Sequence, residues 1–525
     1  MFRQKHSLAA AIAALSSVLL LLLLTACGSA SNSAGTSTDF GDPVAGGQGQ
    51  FIQLSEPRTL DPAGLGNVWA TQPTLGNALY GTLMINTPGT LDIEYKMAED
   101  FSSTDNGSTF TLKLRPGLQF SDGTPLDAEA VRYNWDRLRD PTLGSGASKF
   151  APQISSLEVI DPTTLQVTMV APNLHFDQAV ITSALNWIAS PAALEKGRAS
   201  FDAAPVGAGP FTLVSWSRQD EIRLQKNPTY WDAPKPYLDT LIIKSVPDGA
   251  QRFNAVTTGA TNFSSESDSE NLEKAAAAGS QTDLVETGGG QYMAMNVRRA
   301  PFDDVRARQA VSLALDTEAL NMIVYNGAGD VPTTLFTESS PFYVDVPLRE
   351  TNQQEAQALF NELAAEGKPV SFDFTAYSTT ENRQAAEGVQ AQLSAYDNVE
   401  VNIKQVDSSE IQKVVGSRDF QMVISSANVL DPDTELWTSF HSQSKGNMTG
   451  ISDPQLDAAL DAGRVESDVA ARTEAYKVVQ ERLAEVVPGV FYIRSTPGAM
   501  FGKNIAGVQM YGLGSPLPEE IWLAN

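Results

Sequence analysis

The stretch FTLKLRPGLQFSDGTPLDAEAVRYNW, residues 110–135, contains a strand, a turn and the start of a helix in immediate succession. Phe110 to Leu114 alternate apolar and polar side chains, which is typical of a half-buried strand. Asp122-Gly123 favours a turn, and Asp127 is placed to cap a helix that carries apolar residues at helical spacing. The acids resemble a metal-binding loop, but the turn and the cap account for them. The stretch therefore predicts a strand–turn–helix unit of an α/β fold.

Strands and helices follow one another irregularly along the rest of the chain. Further strands are predicted at Leu165–Val170, Ile222–Leu224 and Leu238–Ile243. Helices are predicted at 303–316, and before Pro488, where the apolar face consists of Tyr476, Val479, Leu483 and Val486. The body from about residue 50 is too long for one core. Its mixed order favours several α/β lobes over one doubly wound sheet.

The start of the chain has the pattern of an export signal. Arg3 and Lys5 precede an uncharged apolar run from Leu8 to Ala26. That run could also be an uncleaved anchor helix. Leu24-Thr25-Ala26-Cys27 resembles the lipobox of bacterial lipoproteins and favours cleavage, which would leave the only cysteine, Cys27, lipidated. We expect a lipoprotein signal peptide at 1–26 and a flexible Gly/Ser-rich tether at 27–47.

The composition narrows the class of protein. The formal net charge is −26, and loss of Arg3 and Lys5 with the signal would make it −28. This acidity disfavours nucleic acid as a partner, because phosphate contacts need clusters of Lys and Arg. The common nucleophile, phosphate-loop, dinucleotide and zinc motifs are missing, and the only histidines are His6, His175 and His441. No catalytic residue, metal site or cofactor is predicted.

Several motifs in register resemble one known family. Besides residues 110–135, they are PRTLDP at 57–62, the 205–210 turn with NPTYW at 227–231, QYMAMNVRRAPFDDVRARQAVSLALD at 291–316, and DPDTELW at 431–437. Together they resemble the family 5 extracellular solute-binding proteins, which are the peptide-, nickel- and oligosaccharide-binding proteins of ABC importers. Ala208 stands where the family usually has Thr. The resemblance covers roughly residues 50 to 500.

The resemblance implies a periplasmic-binding-protein-like type II fold, in which two lobes close on a ligand. Lobe I would comprise 48–78, 203–289 and 489–525. An additional small domain in the N-terminal half would span 79–202, and lobe II 290–488. The ligand would be buried in the cleft between the lobes.

Two segments are the implied ligand-binding residues. Gly66, Asn67, Val68 and Trp69 resemble the strand-like segment that pairs with the backbone of the ligand. Trp69 could line a subsite or simply pack at the surface of its lobe.

The second segment is SSANVLDPDTELW, residues 425–437, which ends at Trp437. Peptide-binding members usually carry an Asp three residues before the Asp-Pro, where it pairs with the ammonium of the ligand. Asn428 occupies that position here and lacks the charge, so Asp431 or Asp433 could serve instead. Asn428 could equally be a turn-forming residue.

The leading interpretation is a lipid-anchored, monomeric receptor that captures an oligopeptide or dipeptide for an ABC permease and its ATPase. It would work on the outer face of the bacterial cytoplasmic membrane or in the periplasm. The alternative on the same scaffold is a non-peptide ligand such as an oligosaccharide, an opine-like compound or a metal chelate; bare Ni²⁺ is disfavoured. A hydrolase would need a nucleophile and a base that the sequence does not assemble. A surface chaperone or adhesin is a further option.

Overall fold

The opening stretch folds as predicted. In the computed structural model, Thr109–Leu114 is a strand and Ala128–Leu138 a helix. The Asp127 carboxylate accepts a hydrogen bond from a backbone amide of the first helical turn at 3.0 Å, so it is the N-cap. Asp122 accepts bonds from the amide and the hydroxyl of Thr124 at 3.0 and 2.6 Å. Both acids are therefore used locally, in the cap and in the turn.

The structure describes residues 40–407 and 410–524, and from Pro43 onward the chain forms one unit. The strands, numbered in chain order, are β1 Gln48–Gln53, β2 Met84–Asn86, β3 Ile93–Tyr95, β4 Ala98–Ser103, β5 Thr109–Leu114, β6 Ile154–Asp161, β7 Thr164–Met169, β8 Phe211–Ser217, β9 Glu221–Lys226, β10 Thr240–Ser245, β11 Phe263–Glu266, β12 Gln281–Leu284, β13 Gly288–Met295, β14 Val370–Tyr377, β15 Val399–Val406, β16 Met422–Val429, β17 Gly489–Ile493, β18 Gly498–Phe501, β19 Ile505–Ala506, β20 Met510–Tyr511, β21 Ser515–Pro516 and β22 Trp522–Leu523. The helices are α1 Pro73–Tyr80, α2 Ala128–Leu138, α3 Phe176–Ile181, α4 Pro191–Leu194, α5 Arg198–Ala203, α6 Gly249–Thr257, α7 Ser269–Ala277, α8 Val305–Ala314, α9 Thr317–Tyr325, α10 Gln353–Ala365, α11 Thr380–Leu393, α12 Ile411–Ser417, α13 Thr438–Phe440, α14 Pro454–Val465 and α15 Val469–Val486.

Three sheets organise these elements. We call the part built on the seven-stranded sheet β12-β18-β11-β1-β10-β9-β8 lobe I, and the part built on the five-stranded sheet β15-β14-β16-β13-β17 lobe II. The part built on the antiparallel sheet β4-β5-β7-β6 is called the additional domain. One continuous apolar core joins lobe I to the additional domain, whereas lobe II has a separate core on each face of its sheet. Two neighbouring residues on β13 show the separate cores of lobe II. Their side chains point to opposite faces of the sheet, so Tyr292 belongs to one core and Met293 to the other.

Lobes I and II are joined where the chain passes between their sheets. It leaves β12 for β13 through residues 285–287 and returns from β17 to β18 through residues 494–497. The two crossings bind each other, because the Val285 amide donates to the Pro497 carbonyl at 2.8 Å and the Thr287 hydroxyl to the Ser495 carbonyl at 3.2 Å. The link between the lobes is thus a paired, two-stranded connection.

Element boundaries differ from the predictions by one or two residues. The strand predicted to start at Leu238 starts at Thr240. The helix predicted at 303–316 runs from Val305 to Ala314 and is capped by Asp304, whose side chain accepts from the Arg306 amide at 3.0 Å. Such shifts occur at element ends, where caps and not periodicity decide the first residue.

The expected leader falls mostly outside the described residues. The signal peptide predicted at 1–26, the lipidation site Cys27 and the tether up to residue 39 belong to that part of the chain. At the end of the predicted tether, the Gly46 amide donates to the Tyr237 carbonyl at 2.8 Å, and the Gly47 carbonyl accepts from the Asp239 amide at 3.0 Å.

Glu519 is a buried acid near the C-terminus of lobe I. Its side chain is 4% exposed, and its Oε2 has no hydrogen-bond partner among the described residues. Burial, followed by the charge of Glu520, raises the pKa of Glu519 to about 7, although Lys96 and Lys235 act in the opposite direction. The folded protein therefore holds a proton on Glu519 that the unfolded chain releases at lower pH.

We expect Glu519→Gln to stabilise the protein in alkaline buffer. Because the pKa of Glu519 is raised in the folded state, the wild type loses stability when this buried carboxyl group ionises. That loss is absent below the unfolded pKa, grows as the pH rises and is complete above about 7. The free energy of unfolding at pH 8 should rise by about 3 kcal/mol and stay unchanged at pH 4. Urea denaturation at both pH values measures this, with the exposed Glu158→Gln as the matched control. A loss of stability at pH 8 would contradict the prediction.

Candidate functional site

A small cavity of about 10 Å³, room for about one water molecule, lies where lobe I, lobe II and the additional domain meet. We call it the interlobe cavity. Helix α3 and its C-cap line it from the additional domain, the end of β16 and the turn after it from lobe II, and the β20–β21 connection from lobe I. The lining residues are Gln178, Thr182, Asn428, Leu430, Asp431, Thr434, Glu435 and Leu513.

The segment just before α3 binds lobe II directly. The Asn173 side-chain amide donates to Asp433 Oδ2 at 2.9 Å, and the Leu174 amide donates to the Arg464 carbonyl at 2.9 Å. His175 Nε2 lies 2.8 Å from the Glu466 carbonyl oxygen. These bonds hold α3 against the edge of lobe II and close one side of the cavity.

The backbone of residues 66–69 lies next to the cavity, but the side chain of Asn67 does not face the cavity. Val68 pairs with Leu513 in a parallel bridge, and the Trp69 amide donates to the Leu513 carbonyl at 2.9 Å. Asn67 is 1% exposed; its amide donates to the Ile181 carbonyl at 2.7 Å, and its Oδ1 accepts from Ser515 at 2.7 Å. Leu513, a cavity residue, therefore occupies the pairing edge of this segment in the described structure.

Two members of the same segment have distinct surroundings. A Cβ added at Gly66 would come within 2.5 Å of the Thr71 hydroxyl, which itself donates to the Gly66 carbonyl at 2.7 Å. Gly66 therefore shapes a tight loop.

The Trp69 ring is 8% exposed, and its Nε1 lacks a hydrogen-bond partner among the described residues. A buried indole N–H without a partner is unusual, so the indole N–H of Trp69 remains available to donate a hydrogen bond.

Asn428 lines the cavity at the end of β16. It pairs with Gly289 on β13, and its Oδ1 accepts a hydrogen bond from the Ser495 hydroxyl at 2.6 Å. Ser495 lies in the return crossing between the lobes. Asn428 therefore connects the cavity wall to that crossing.

Asp431 also lines the cavity, but Arg472 holds its carboxylate. The guanidinium donates to the two carboxylate oxygens at 2.7 and 2.9 Å, and both side chains are buried. Burial alone would raise the pKa of Asp431, but Arg472 outweighs it, so the pKa is below its ordinary value. The pair is an internal, bidentate ion pair of lobe II.

Asp433 and Trp437 lie behind the cavity wall, inside lobe II. Asp433 accepts from Arg464 Nε at 2.8 Å as well as from Asn173. The Trp437 ring stacks on His441 with 4.6 Å between ring centres, and the Arg464 guanidinium lies 4.1 Å from the Trp437 ring centre. In the described structure, these side chains pack lobe II and hold the additional domain.

The sequence did not single out the remaining wall residues. Gln178 and Thr182 sit on a short helix outside the family-like motifs, so no local signal marked them. Thr434 lies inside DPDTELW, but the motif does not show which side chain turns toward the cavity. Thr434 is 9% exposed and its hydroxyl has no hydrogen-bond partner among the described residues.

Two kinds of feature are missing from the described ranges. Among residues 40–407 and 410–524, no cluster of His, Cys, Asp and Glu has the arrangement of a metal site. Over the same ranges, no helix has both the length and the apolar character that crossing a membrane requires.

Two α/β lobes joined by paired crossings, with a cavity between them, define a binding protein that encloses a solute. The chain belongs to the bacterial extracellular solute-binding proteins of family 5, whose middle-region model matches residues 92–447. The expected family and fold class are thereby confirmed. The chain is a substrate-binding protein.

The chain is also similar to individual proteins in sequence and to solved structures in fold. It is 29% identical to the glutathione-binding protein GsiB of Escherichia coli K12 over 474 residues, which cover 86% of this chain and 89% of the relative. The binding protein AgaA of A. tumefaciens R10, in complex with agropinic acid, is 24% identical with a TM-score of 0.76, covering 91% of this chain and 99% of that one. DppA of Helicobacter pylori, in complex with the peptide STSA, is 22% identical with a TM-score of 0.76, covering 92% and 99%.

Proposed function

We propose that this chain is the substrate-binding lipoprotein of an ABC importer and that it captures an oligopeptide or dipeptide between its lobes. The observation that carries the proposal is the interlobe cavity, which is lined by residues from lobe I, lobe II and the additional domain. A ligand there would contact every part at once, so its binding would favour the closed arrangement. The buried, unpartnered hydroxyl of Thr434 supports this, because it belongs to a residue that lines the cavity and a ligand would satisfy it.

The binding segments support an extended ligand. Gly66, Asn67, Val68 and Trp69 form a loop in which the backbones of Val68 and Trp69 pair with Leu513. A peptide displacing Leu513 would gain the same backbone bonds. Asn428 and the turn containing Asp431, Asp433 and Trp437 would form the opposite wall. The GsiB relative and the DppA complex, named for glutathione and a peptide, agree with this substrate class.

A non-peptide ligand is the second candidate. Asn428 is a neutral amide whose Oδ1 already accepts a bond from Ser495, so it offers no charge to a ligand. The AgaA complex contains agropinic acid on a similar fold. Oligosaccharides, opine-like compounds and metal chelates belong to this alternative.

We further propose the domain limits and the cellular setting. Lobe I comprises 48–78, 203–289 and 494–525, the additional domain 79–202 and lobe II 290–493, because β17 (Gly489–Ile493) pairs with β13 and not with the sheet of lobe I, to which the family resemblance assigned it. A monomer anchored through lipid on Cys27 would deliver its ligand to a membrane permease and ATPase and would perform no catalysis itself. The uncharged run before Cys27 supports the anchor.

Mass spectrometry of ligand released from natively purified protein tests this function. We expect a short peptide that, when added back, raises the melting temperature by a constant increment for each tenfold increase in its concentration above Kd. Lipid-bearing N-terminal fragments starting at Cys27 would appear in the same measurement on membrane-derived protein. Release of a sugar or an opine-like acid would favour the second candidate. If no released compound and no member of a peptide pool changes the melting temperature, the function is wrong.

A further inference from the structure

Three hydrogen bonds join the additional domain to lobe II beside the interlobe cavity. Residues 173–175, just before α3, bond to the Asp433 carboxylate and to the backbone carbonyls of Arg464 and Glu466, at 2.9, 2.9 and 2.8 Å. We call these three bonds the clasp. None of the residues that make it lines the cavity. The clasp is therefore separate from the surface that a ligand would contact.

Each side of the clasp is oriented within its own part of the molecule. Asn173 is 1% exposed, and its Oδ1 accepts from the His175 amide at 3.0 Å, which fixes the turn before α3. On lobe II, Arg464 Nε donates to Asp433 at 2.8 Å and holds the carboxylate in place. The two carbonyls lie at the C-terminal end of α14, where a helix leaves carbonyls without intrahelical partners. The clasp thus joins groups that already point in fixed directions.

Separation of lobe II from the rest of the molecule has to break the clasp. Because lobe I and the additional domain share one apolar core, we expect them to move as one body, whereas lobe II has cores of its own. The lobe II wall of the cavity runs from Asn428, bonded to Ser495 in the return crossing, to Glu435, which pairs with Lys149 of the additional domain at 2.6 Å. The crossings hold one end of this wall and the additional domain holds the other.

We propose that the clasp stabilises the closed arrangement independently of the ligand and sets how long a captured solute is retained. The inference rests on the proposed function and assigns a role to the additional domain. Asn173 is a positioning residue, because it binds Asp433 and does not line the cavity. Since the same bonds must break before any solute leaves, loss of the clasp speeds release of every ligand by the same factor and leaves selectivity unchanged.

Native-state hydrogen exchange of two neighbouring amides tests the clasp without a ligand. The Leu174 amide donates across the lobes to Arg464 at 2.9 Å, whereas the amide of residue 173 donates to the Gly107 carbonyl inside the additional domain at 3.0 Å. Opening of the lobes exposes only the first, and local unfolding exposes both. In Asn173→Asp a second carboxylate faces Asp433. We expect the protection factor of the Leu174 amide to fall at least about tenfold, with that of residue 173 unchanged.

Two further variants make the comparison specific. Asn173→Ala removes the same bond without adding a charge, so it should lower the Leu174 protection factor by a smaller amount. Gln153→Ala is the matched control, because Gln153 accepts from the same Asn173 side-chain amide at 3.1 Å but lies within the additional domain. It leaves the bond across the lobes in place, and both protection factors should stay at their wild-type values.

Retention of a randomised tripeptide pool gives a second readout. After dilution, mass spectrometry should find the same peptide sequences on the wild type and on both Asn173 variants, lost at least about tenfold faster from Asn173→Asp. Three results would overturn the clasp and leave the proposed function standing: an unchanged Leu174 protection factor in both variants, an equal fall at residue 173, or a different set of retained sequences. If exchange behaves as expected but the wild type retains no peptide, the clasp stands and the peptide function is wrong.

Discussion

Arg472→Met is expected to lower the free energy of unfolding by about 3–5 kcal/mol, since it leaves the Asp431 carboxylate buried without its counterion. The guanidinium of Arg472 also donates to the Gly463 carbonyl at 2.9 Å, and this bond would be lost as well. Urea denaturation of the ligand-free protein at pH 7.5 measures the change. The effect is large because both ends of this pair are buried.

Two comparisons separate this role from ligand binding. Arg132→Met removes a partly exposed arginine that pairs with Glu129 and Asp136 on α2 and should cost less than about 1 kcal/mol. The double variant Arg472→Met/Asp431→Leu removes both charges and should recover most of the lost stability. If Arg472→Met instead unfolded like the wild type and only ligand binding changed, Asp431 would be a ligand group and not a structural one.

The pH dependence of the pair has a definite sign. The pKa of Asp431 is below its ordinary value because Arg472 outweighs the effect of burial. Its contribution to stability is therefore present above the unfolded pKa and is lost as the pH falls through the lower, folded pKa. The Arg472→Met difference should shrink in acid for the same reason.

The fold could be read from the sequence to the extent that local signals repeat. Asp127 is a cap in the structure as predicted, because a cap depends on residues only three or four positions away. The order of the motifs along the chain resembles that of the family, and this resemblance implied the two-lobed arrangement. Strand β17 shows the limit, since it lies at an expected lobe boundary and only its pairing with β13 assigns it to a sheet.

The candidate site was predictable only in part, because its contacts are long-range. Asn428 and Asp431 line the cavity, but their partners Ser495 and Arg472 lie 67 and 41 residues away. No spacing rule predicts that an arginine on α15 will hold Asp431. Gln178 lies on a six-residue helix that carried no motif, so only the assembled structure shows it at the cavity.

The glycines that open β13 predict the other large effect. Gly290 has a φ of +121°, a conformation that side chains strongly disfavour. A Cβ there would lie 2.2 Å from the Ile493 carbonyl oxygen and 2.7 Å from the Arg494 Cα, and both are backbone atoms that cannot rotate away. We expect Gly290→Ala to lower the free energy of unfolding by about 2–4 kcal/mol, measured by urea denaturation.

Gly117→Ala is the matched control, because Gly117 also has a positive φ, +79°, but its Cβ would meet no atom within 4 Å. It carries the conformational cost alone, about 1–2 kcal/mol. The excess for Gly290→Ala would then measure the collision of β13 with β17 at the start of the return crossing. Relief of that collision has to push apart the two strands that lead into the paired crossings, so ligand affinity should fall in Gly290→Ala and stay unchanged in Gly117→Ala. If both variants lost the same free energy of unfolding, β17 would be able to move away from the added methyl group without cost. The paired crossings between the lobes would then not be rigid.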